Sequence, residues 1–239
     1  MTKRLYIKLL VSLLIIFNLH ALGADELVFP PPINLLQYIE PGSNSVSVRQ
    51  NARLARVWGW SRDGKVVYSV EGGVNSEAGY SIEFVVLDLN TDKVLFNLEM
   101  NSRYVNNWAE GNALFNVYRA SILNALRTHH IIAQRTEFLP FPFRRNNIVY
   151  DAQIIDIEIG EDEYWLLGNL ILRYSVLATA GDRRKTLGNF TPFLWLNDVY
   201  MCGYFLSPFE DRALVVIAED LGQYMHGGIL YRFVDFHLE

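Results

Sequence analysis

Short apolar runs separated by turn residues dominate the chain from residue 54 onward. Two of these runs flank Asp63-Gly64. An Asp-Gly pair in that position is a strong hairpin signal, because glycine adopts the positive φ that tight turns require. The polar triplet 90–92 separates two more runs. The pattern predicts a four-stranded antiparallel meander, with strands near residues 56–60, 65–70, 80–89 and 93–99.

One segment has helical periodicity. Asn107 is followed three residues later by Glu110, which resembles a capping box. Apolar residues then recur at spacings of three and four, at Phe115, Tyr118, Ile122 and Leu126. We expect one helix at about 107–130, covering one face of the sheet.

The β pattern resumes after a proline-containing connector at 138–145. Ile155, Ile157 and Ile159 alternate with acidic residues, which predicts a strand with these isoleucines on one face. The polar stretch 181–185 predicts a loop, and further apolar runs continue almost to the end of the chain. One helix among roughly ten strands predicts a mainly β (α+β) protein built from antiparallel sheets.

The first 24 residues have the layout of a secretory signal peptide. Three basic residues precede an apolar run at 9–17, and small residues stand at 21 and 23. Asn18 and His20 interrupt the run before it reaches the roughly 20 residues that a membrane span needs. We expect cleavage after Gly23 or Ala24, a periplasmic or extracellular location, and no membrane span in the mature chain.

The mature chain divides into two parts. Residues 25–50 contain Pro30-Pro31-Pro32 and little periodicity, and we expect them to form an extended leader. Residues 51–239 are predicted to form a single β-rich domain. Residues 1–24 hold three basic residues and no acidic one, so their removal changes the net charge from −5 to −8. That balance argues against a nucleic-acid partner.

The single cysteine excludes an intramolecular disulfide and a Cys-rich zinc site. Cys202 lies in the apolar run 199–206, so we expect a buried, inert thiol.

Two turns resemble those of a known family. Trp60-Ser61-Arg62-Asp63-Gly64-Lys65 is similar to the turn in a blade of the TolB-type β-propellers, and 205–213 is a weaker echo. The resemblance implies propeller-blade-like hairpins. The two serines, Ser61 and Ser207, are 146 residues apart. Closed propellers repeat about every 40–45 residues, so a regular propeller is not expected.

The order of hairpin, Gly-rich loop, strand, helix and later Ser-Pro turn is also similar to a family of predicted secreted bacterial proteins of unknown function. The similarity spans roughly residues 54–238. It implies secretion and a β-rich domain, and it brings no catalytic residues.

Two acidic groups could in principle hold a metal or act in hydrolysis. Asp88, Asn90, Asp92 and Glu99 match EF-hand ligand positions, but Lys93 stands where that loop needs glycine, so a plain hairpin turn is favoured. The acidic run 161–163 could supply paired carboxylates, but a solvated turn is favoured.

The histidines form no recognisable motif. His129 and His130 are adjacent, so on a helix they point about 100° apart, and His226-Gly227-Gly228 is typical of a turn. Ser61 is not part of a nucleophile elbow and is expected to hydrogen-bond its own turn. No catalytic residue, metal or cofactor is predicted.

Aromatic and basic residues supply the one candidate binding surface. Its residues are Trp58, Trp60, Phe141, Phe143, Arg144 and Arg145. The alternative is that they form a connector packed over the core. The sequence therefore favours a secreted, non-enzymatic binding or interaction module of the cell envelope, with an envelope protein or small ligand as partner. Two alternatives stay open: an exported hydrolase whose site assembles only in three dimensions, and a structural component of an assembly.

Overall fold

The computed structural model describes residues 27–39, 54–73, 80–104, 111–161, 169–192, 196–221 and 229–237. Within them the chain forms three antiparallel sheets and two short α-helices, which confirms the mainly β fold class. The helices are α1 (Asn112–Val117) and α2 (Arg119–Thr128), and single 3₁₀ turns lie at Leu35–Tyr38 and Ser102–Tyr104.

Neighbouring strands in each sheet are consecutive along the chain, except that β6 (Phe138–Leu139) pairs with β11 (Asp198–Leu206). Sheet A has the order β1-β2-β3-β4-β5, with β1 Ile33–Asn34, β2 Leu54–Trp60, β3 Lys65–Gly73, β4 Tyr80–Asp88 and β5 Lys93–Asn101. Sheet B has the order β13-β12-β11-β6, with β6 Phe138–Leu139, β11 Asp198–Leu206, β12 Arg212–Asp220 and β13 Ile229–His237. Sheet C has the order β10-β9-β8-β7, with β7 Phe143–Arg145, β8 Ile148–Glu161, β9 Asn169–Ala180 and β10 Arg183–Phe190.

Sheet B is the middle layer of the fold. Leu214 of β12 lies in one buried cluster with Val57 of sheet A, whereas its neighbour Val215 lies in another cluster with Tyr174 of sheet C. All side chains from 213 to 218 are fully buried. A strand covered on both faces accommodates apolar side chains at every position, which explains this continuous apolar run.

The two helices cover the outer face of sheet A. Phe115 and Ile122 are fully buried, in one cluster with Trp58 and Phe84. The predicted covering element is therefore confirmed, but it is two helices instead of one. Tyr118, with φ −97° and ψ 13°, ends α1 and precedes α2. The capping box predicted at 107–110 lies outside the described residues.

The predicted meander is confirmed as β2 to β5. Gly64 has φ 83° at the first turn, and its carbonyl accepts a hydrogen bond from the Leu89 N–H at 2.9 Å. The Ser61 Oγ accepts the Lys65 N–H at 2.8 Å, as expected for a turn serine. The Asn90 N–H donates to Asp88 Oδ1 at 2.9 Å, so 88–93 is a hairpin turn between strands.

Sheet C differs from the sequence-based expectation in two ways. Asp156 has φ 50° in a β-bulge, which breaks the alternation predicted for the isoleucines and leaves Ile157 and Ile159 exposed. The polar stretch at 181–185 is a two-residue turn followed by β10, not a loop. β10 is an edge strand, where exposed basic residues are tolerated and hinder edge-to-edge association, so polarity alone predicts a loop wrongly.

Residues 27–39 lie against the β-rich body. Leu35 is fully buried in the cluster between sheets A and B, and β1 pairs with β2. The Arg56 Nη1 donates to the Pro30 carbonyl at 2.6 Å. The predicted signal peptide, 1–24, is outside the described residues. Within the described ranges, no helix combines the length and hydropathy required to cross a membrane.

The connector after α2, defined here as residues 129–145 and including the predicted 138–145, joins the edges of two sheets. Ile132 forms an antiparallel bridge with Trp60 of sheet A, and β6 then pairs with β11 of sheet B. The connector thus supplies an extra edge to both sheets.

Candidate functional site

Two of the six residues predicted to form a binding surface lie in the core. Trp58 is 3% exposed and packs under the helices, with its ring 4.8 Å from that of Phe115. Trp60 is 1% exposed and lies in the cluster between sheets A and B. The large apolar rings of the two tryptophans favour burial, which explains why both lie in the core. The six residues therefore do not form one surface.

Phe141 and Phe143 belong to an aromatic cluster between sheets B and C. The Phe143 ring centroid lies 4.3 Å from that of Tyr204 and 4.9 Å from that of Tyr150. Phe141 lies 4.8 Å from Tyr204. Both phenylalanines are half-buried, so this part of the set is the packed connector that was the alternative expectation.

The two arginines of the set differ in environment. Arg144 is exposed. The Arg145 Nη2 lies 2.6 Å from Asp211 Oδ1, and both residues line a cleft of about 510 Å³. The cleft residues are Asn90, Arg145, Ser207, Pro208, Phe209, Glu210, Asp211, Arg212 and His237.

One wall of the cleft is the turn between β11 and β12. The Ser207 N–H donates to the Arg212 carbonyl at 2.9 Å, which closes the turn. The Ser207 Oγ accepts the N–H groups of Phe209 and Glu210, both at 3.3 Å. A serine at the first position of a turn makes such bonds, and proline after it limits the backbone freedom of the turn. The turn thereby positions the side chains of residues 209–212 along the cleft.

Arg212 connects this turn to sheet A. Its Nη1 donates to the Leu89 carbonyl at 2.9 Å, and its Nη2 donates to Asn90 Oδ1 at 2.6 Å. Its Nε lies 3.0 Å from Glu210 Oε2, and its Nη1 lies 3.2 Å from Asp235 Oδ2. A planar guanidinium with five donors can serve several acceptors at once. Arg212 is the central polar link between sheets A and B at the cleft.

The two turns that carry the propeller resemblance lie together. The Arg62 guanidinium lies 5.2 Å from the centroid of the Phe209 ring, within the range of a cation–π contact. The Asn90 Nδ2 also donates to the Asp63 carbonyl at 2.9 Å, so Asn90 bridges the first turn to Arg212 of the second. The turn motifs thus place residues that are far apart in sequence around one cleft.

Asp235 is the strongly perturbed acid beside the cleft. Burial raises its pKa to about 6, although the Arg212 charge acts in the opposite direction. Its Oδ1 is buried and has no hydrogen-bond partner among the described residues. A carboxyl group in this setting titrates within the physiological range.

The other sequence candidates lie elsewhere. His129 and His130 follow α2, and burial together with the nearby Lys65 lowers the pKa of His129. His226 and the acidic residues 162–163 are outside the described residues. Among the residues described, no three His, Cys, Asp or Glu side chains group closely enough to hold a metal ion.

Arg212, Asp235 and His237 were not among the candidate site residues in the sequence, and Asn90 was considered only as part of the EF-hand pattern for which a plain hairpin turn was favoured. The available signal was the second turn motif, which contains Arg212 and recurs 146 residues after the first. In the sequence, Asp235 and His237 alternate with apolar residues, so nothing local distinguishes them from solvated residues.

Comparison with known proteins gives no match: no family model, no curated protein and no solved structure matches the chain. What the cleft can bind therefore follows from its own side chains. They supply guanidinium, carboxylate, amide, hydroxyl and imidazole groups around one opening.

Proposed function

We propose that the chain is an exported, non-enzymatic β-rich protein that acts as a binding module of the cell envelope, with the cleft as its ligand site. The observation that carries the proposal is the convergence of Arg145, Asp211, Arg212 and His237 at one opening. The signal-peptide layout of residues 1–24 supports an envelope or extracellular location.

The charges of the cleft indicate the class of ligand. Arg145 pairs with Asp211 at 2.6 Å, and Arg212 lies 3.0 Å from Glu210. Because each arginine is paired with an acid, these four side chains have no net charge with which to attract an ion. They do offer donors and acceptors side by side, and the half-buried Phe209 ring adds an apolar contact. Such a lining suits a neutral, hydroxyl-rich ligand such as an oligosaccharide.

Binding can be tested by following the ¹H–¹⁵N NMR spectrum of the mature chain. We expect saturable shifts of Asn90 and His237 on titration with a panel of neutral oligosaccharides, and no shift with inorganic phosphate. Arg145→Gln should abolish the shifts, whereas the neighbouring control Arg144→Gln should retain them, because Arg144 does not line the cleft. If no oligosaccharide moves the cleft resonances, the proposed ligand site is overturned.

Export has a separate test. The full chain, expressed in a bacterium with two membranes, should be recovered from the periplasm or medium with an N-terminus at Ala24 or Asp25. An uncleaved cytoplasmic product would overturn export without affecting the binding result.

The hydrolase alternative makes a different prediction. His237 lines the cleft with Glu210 and Asp211, and an acid–base mechanism would use such a group. A screen of ester, phosphate and glycoside substrates should show no turnover. Turnover that is lost in His237→Asn would overturn the non-enzymatic proposal and establish the alternative.

A further inference from the structure

One guanidinium serves two carboxylates where sheets A and B meet. Arg212 Nε lies 3.0 Å from Glu210 Oε2, and its Nη1 lies 3.2 Å from Asp235 Oδ2. The charged groups that act on Asp235 are Arg212 on β12, Asp92 on the β4–β5 turn, Lys185 on β10 and His237 on its own strand. Asp92 adds further negative charge. When two carboxylates share one cation, the more buried one tends to keep its proton.

Asp235 is the more buried of the two carboxylates. Its side chain is 15% exposed, against 24% for Glu210. Its Oδ1 is fully covered and has no hydrogen-bond partner among the described residues. A buried ionised oxygen without a hydrogen bond carries a large desolvation cost, and protonation or hydration relieves that cost.

The same guanidinium holds the two sheets together at the cleft. It donates to the Leu89 carbonyl at 2.9 Å and to Asn90 Oδ1 at 2.6 Å. A local opening in which Arg212 moves away from Asp235 also disturbs these bonds, because Asp235 and the two acceptors contact one side chain.

We propose that the Arg212 junction is a proton-sensitive clamp, which is closed when Asp235 is protonated and opens more readily when Asp235 is ionised. The opening hydrates Asp235 and widens the cleft that Arg212 lines. The clamp does not depend on any ligand, so it can be tested independently of the proposed binding function.

The sign of the pH effect follows from linkage. Burial raises the pKa of Asp235 to about 6 in the closed form, whereas a hydrated aspartate has a pKa near 3.8. The closed form therefore binds the proton more tightly. Opening becomes more favourable as the pH rises from about 4 to about 6, and it is constant above that range.

Native-state hydrogen exchange tests the clamp. The reporters are the Leu89 N–H, bonded to Gly64, and the Ser207 N–H, bonded to Arg212. After correction for the intrinsic pH dependence of exchange, their opening constant in the full chain should rise about tenfold between pH 4.5 and pH 7. In Asp235→Asn it should stay low and independent of pH, because the amide mimics the protonated carboxyl.

Two controls separate Asp235 from its neighbours. Asp211→Asn should keep the pH dependence of the wild type, and His237→Gln should still open in a pH-dependent way, because His237 acts on Asp235 only as a nearby charge. A pH dependence that persists in Asp235→Asn, or that disappears in His237→Gln, would overturn the proposal. A ¹³C NMR titration of the Asp235 carboxyl in the wild type gives an independent check: a midpoint near 6 is expected, and a midpoint at or below 4 would contradict the clamp.

Discussion

Gly59 and Gly203 occupy equivalent places in sheets A and B. Each follows a register shift in its strand, and their φ angles are 155° and 148°. A Cβ atom on Gly59 would lie 2.3 Å from the Ile132 carbonyl oxygen, and one on Gly203 would lie 2.4 Å from that of Leu139. Because neither glycine carries a side chain, the backbone of the connector packs directly against the edge of each sheet.

Replacing either glycine should weaken the attachment of the connector. Gly203→Ala should destabilise the fold by about 3 kcal/mol, because the added methyl group meets a backbone carbonyl that cannot move aside and the φ is unfavourable. Gly59→Ala should behave alike. The measurement is urea denaturation followed by circular dichroism.

Gly181→Ala is the matched control for backbone strain. Gly181 has φ 61°, but its added Cβ would meet nothing closer than an Ile148 methyl carbon at 3.9 Å. We expect a cost of about 1 kcal/mol from conformation alone. Equal costs at positions 181 and 203 would contradict the close-approach explanation.

The buried Arg56–Glu71 pair should be intolerant of single changes. The Arg56 Nε lies 2.5 Å from Glu71 Oε1, and the Tyr80 hydroxyl donates to Glu71 Oε2 at 2.6 Å. Glu71→Gln should cost about 3 kcal/mol, because it leaves a buried guanidinium without its counter-ion. Thermal or urea unfolding measures the loss.

The exposed pair Glu158–Arg173 serves as the comparison. Its atoms are 3.8 Å apart, and both side chains are more than half exposed. Glu158→Gln should change stability by less than about 0.5 kcal/mol. A larger loss of stability from Glu158→Gln than from Glu71→Gln would show that burial does not determine how much these ion pairs contribute to stability.

Asp235 should make the global stability depend on pH. Because its pKa is raised to about 6 in the folded chain, its contribution is fully present below pH 4 and is lost as the pH rises to about 6. The loss should be about 1–2 kcal/mol after allowance for its partial exposure. Asp235→Asn should therefore be more stable than the wild type at pH 7 and equal to it at pH 4, as measured by urea denaturation. Lower stability of Asp235→Asn at pH 7 would show that the ion pair outweighs the desolvation.

Cys202 should be unreactive in the folded chain. It is 3% exposed, and burial raises its pKa to about 12. Because the thiolate is the reactive form, a thiol reagent at pH 8 should react at least about 100-fold more slowly with the native chain than with the urea-unfolded chain. Complete reaction of the native protein within the mixing time would contradict a buried thiol.

The hairpins were predictable because their determinants are local. Asp63-Gly64 and 90–92 lie between apolar runs, and both turns form where the sequence places them. The Ser61 side chain bonds a residue only four positions away. Bulges and edge strands were not predictable in the same way. The Asp156 bulge and the polar strand β10 depend on their neighbouring strands, which no local pattern reveals.

The cleft could not be predicted from local sequence patterns either, because its residues are far apart along the chain. Arg212 and Asn90 are 122 residues apart, and each belongs to an unremarkable polar turn in the sequence. Trp58 and Trp60 were candidates for a surface because aromatic residues serve both binding and packing. The packing of the helices and sheet B on sheet A buried them.

The sequence alone determined the antiparallel, β-rich character of the chain, its covering helical segment and its main turns, because hydrophobic periodicity and turn chemistry act over a few residues. Tertiary structure decided that sheet B is the middle layer, that two distant turns share a cleft, and that Asp235 is buried beside Arg212. Burial and charge proximity are properties of the packed chain. The binding and proton-sensitive behaviour proposed for this protein therefore arises where the sheets meet and not in any one motif.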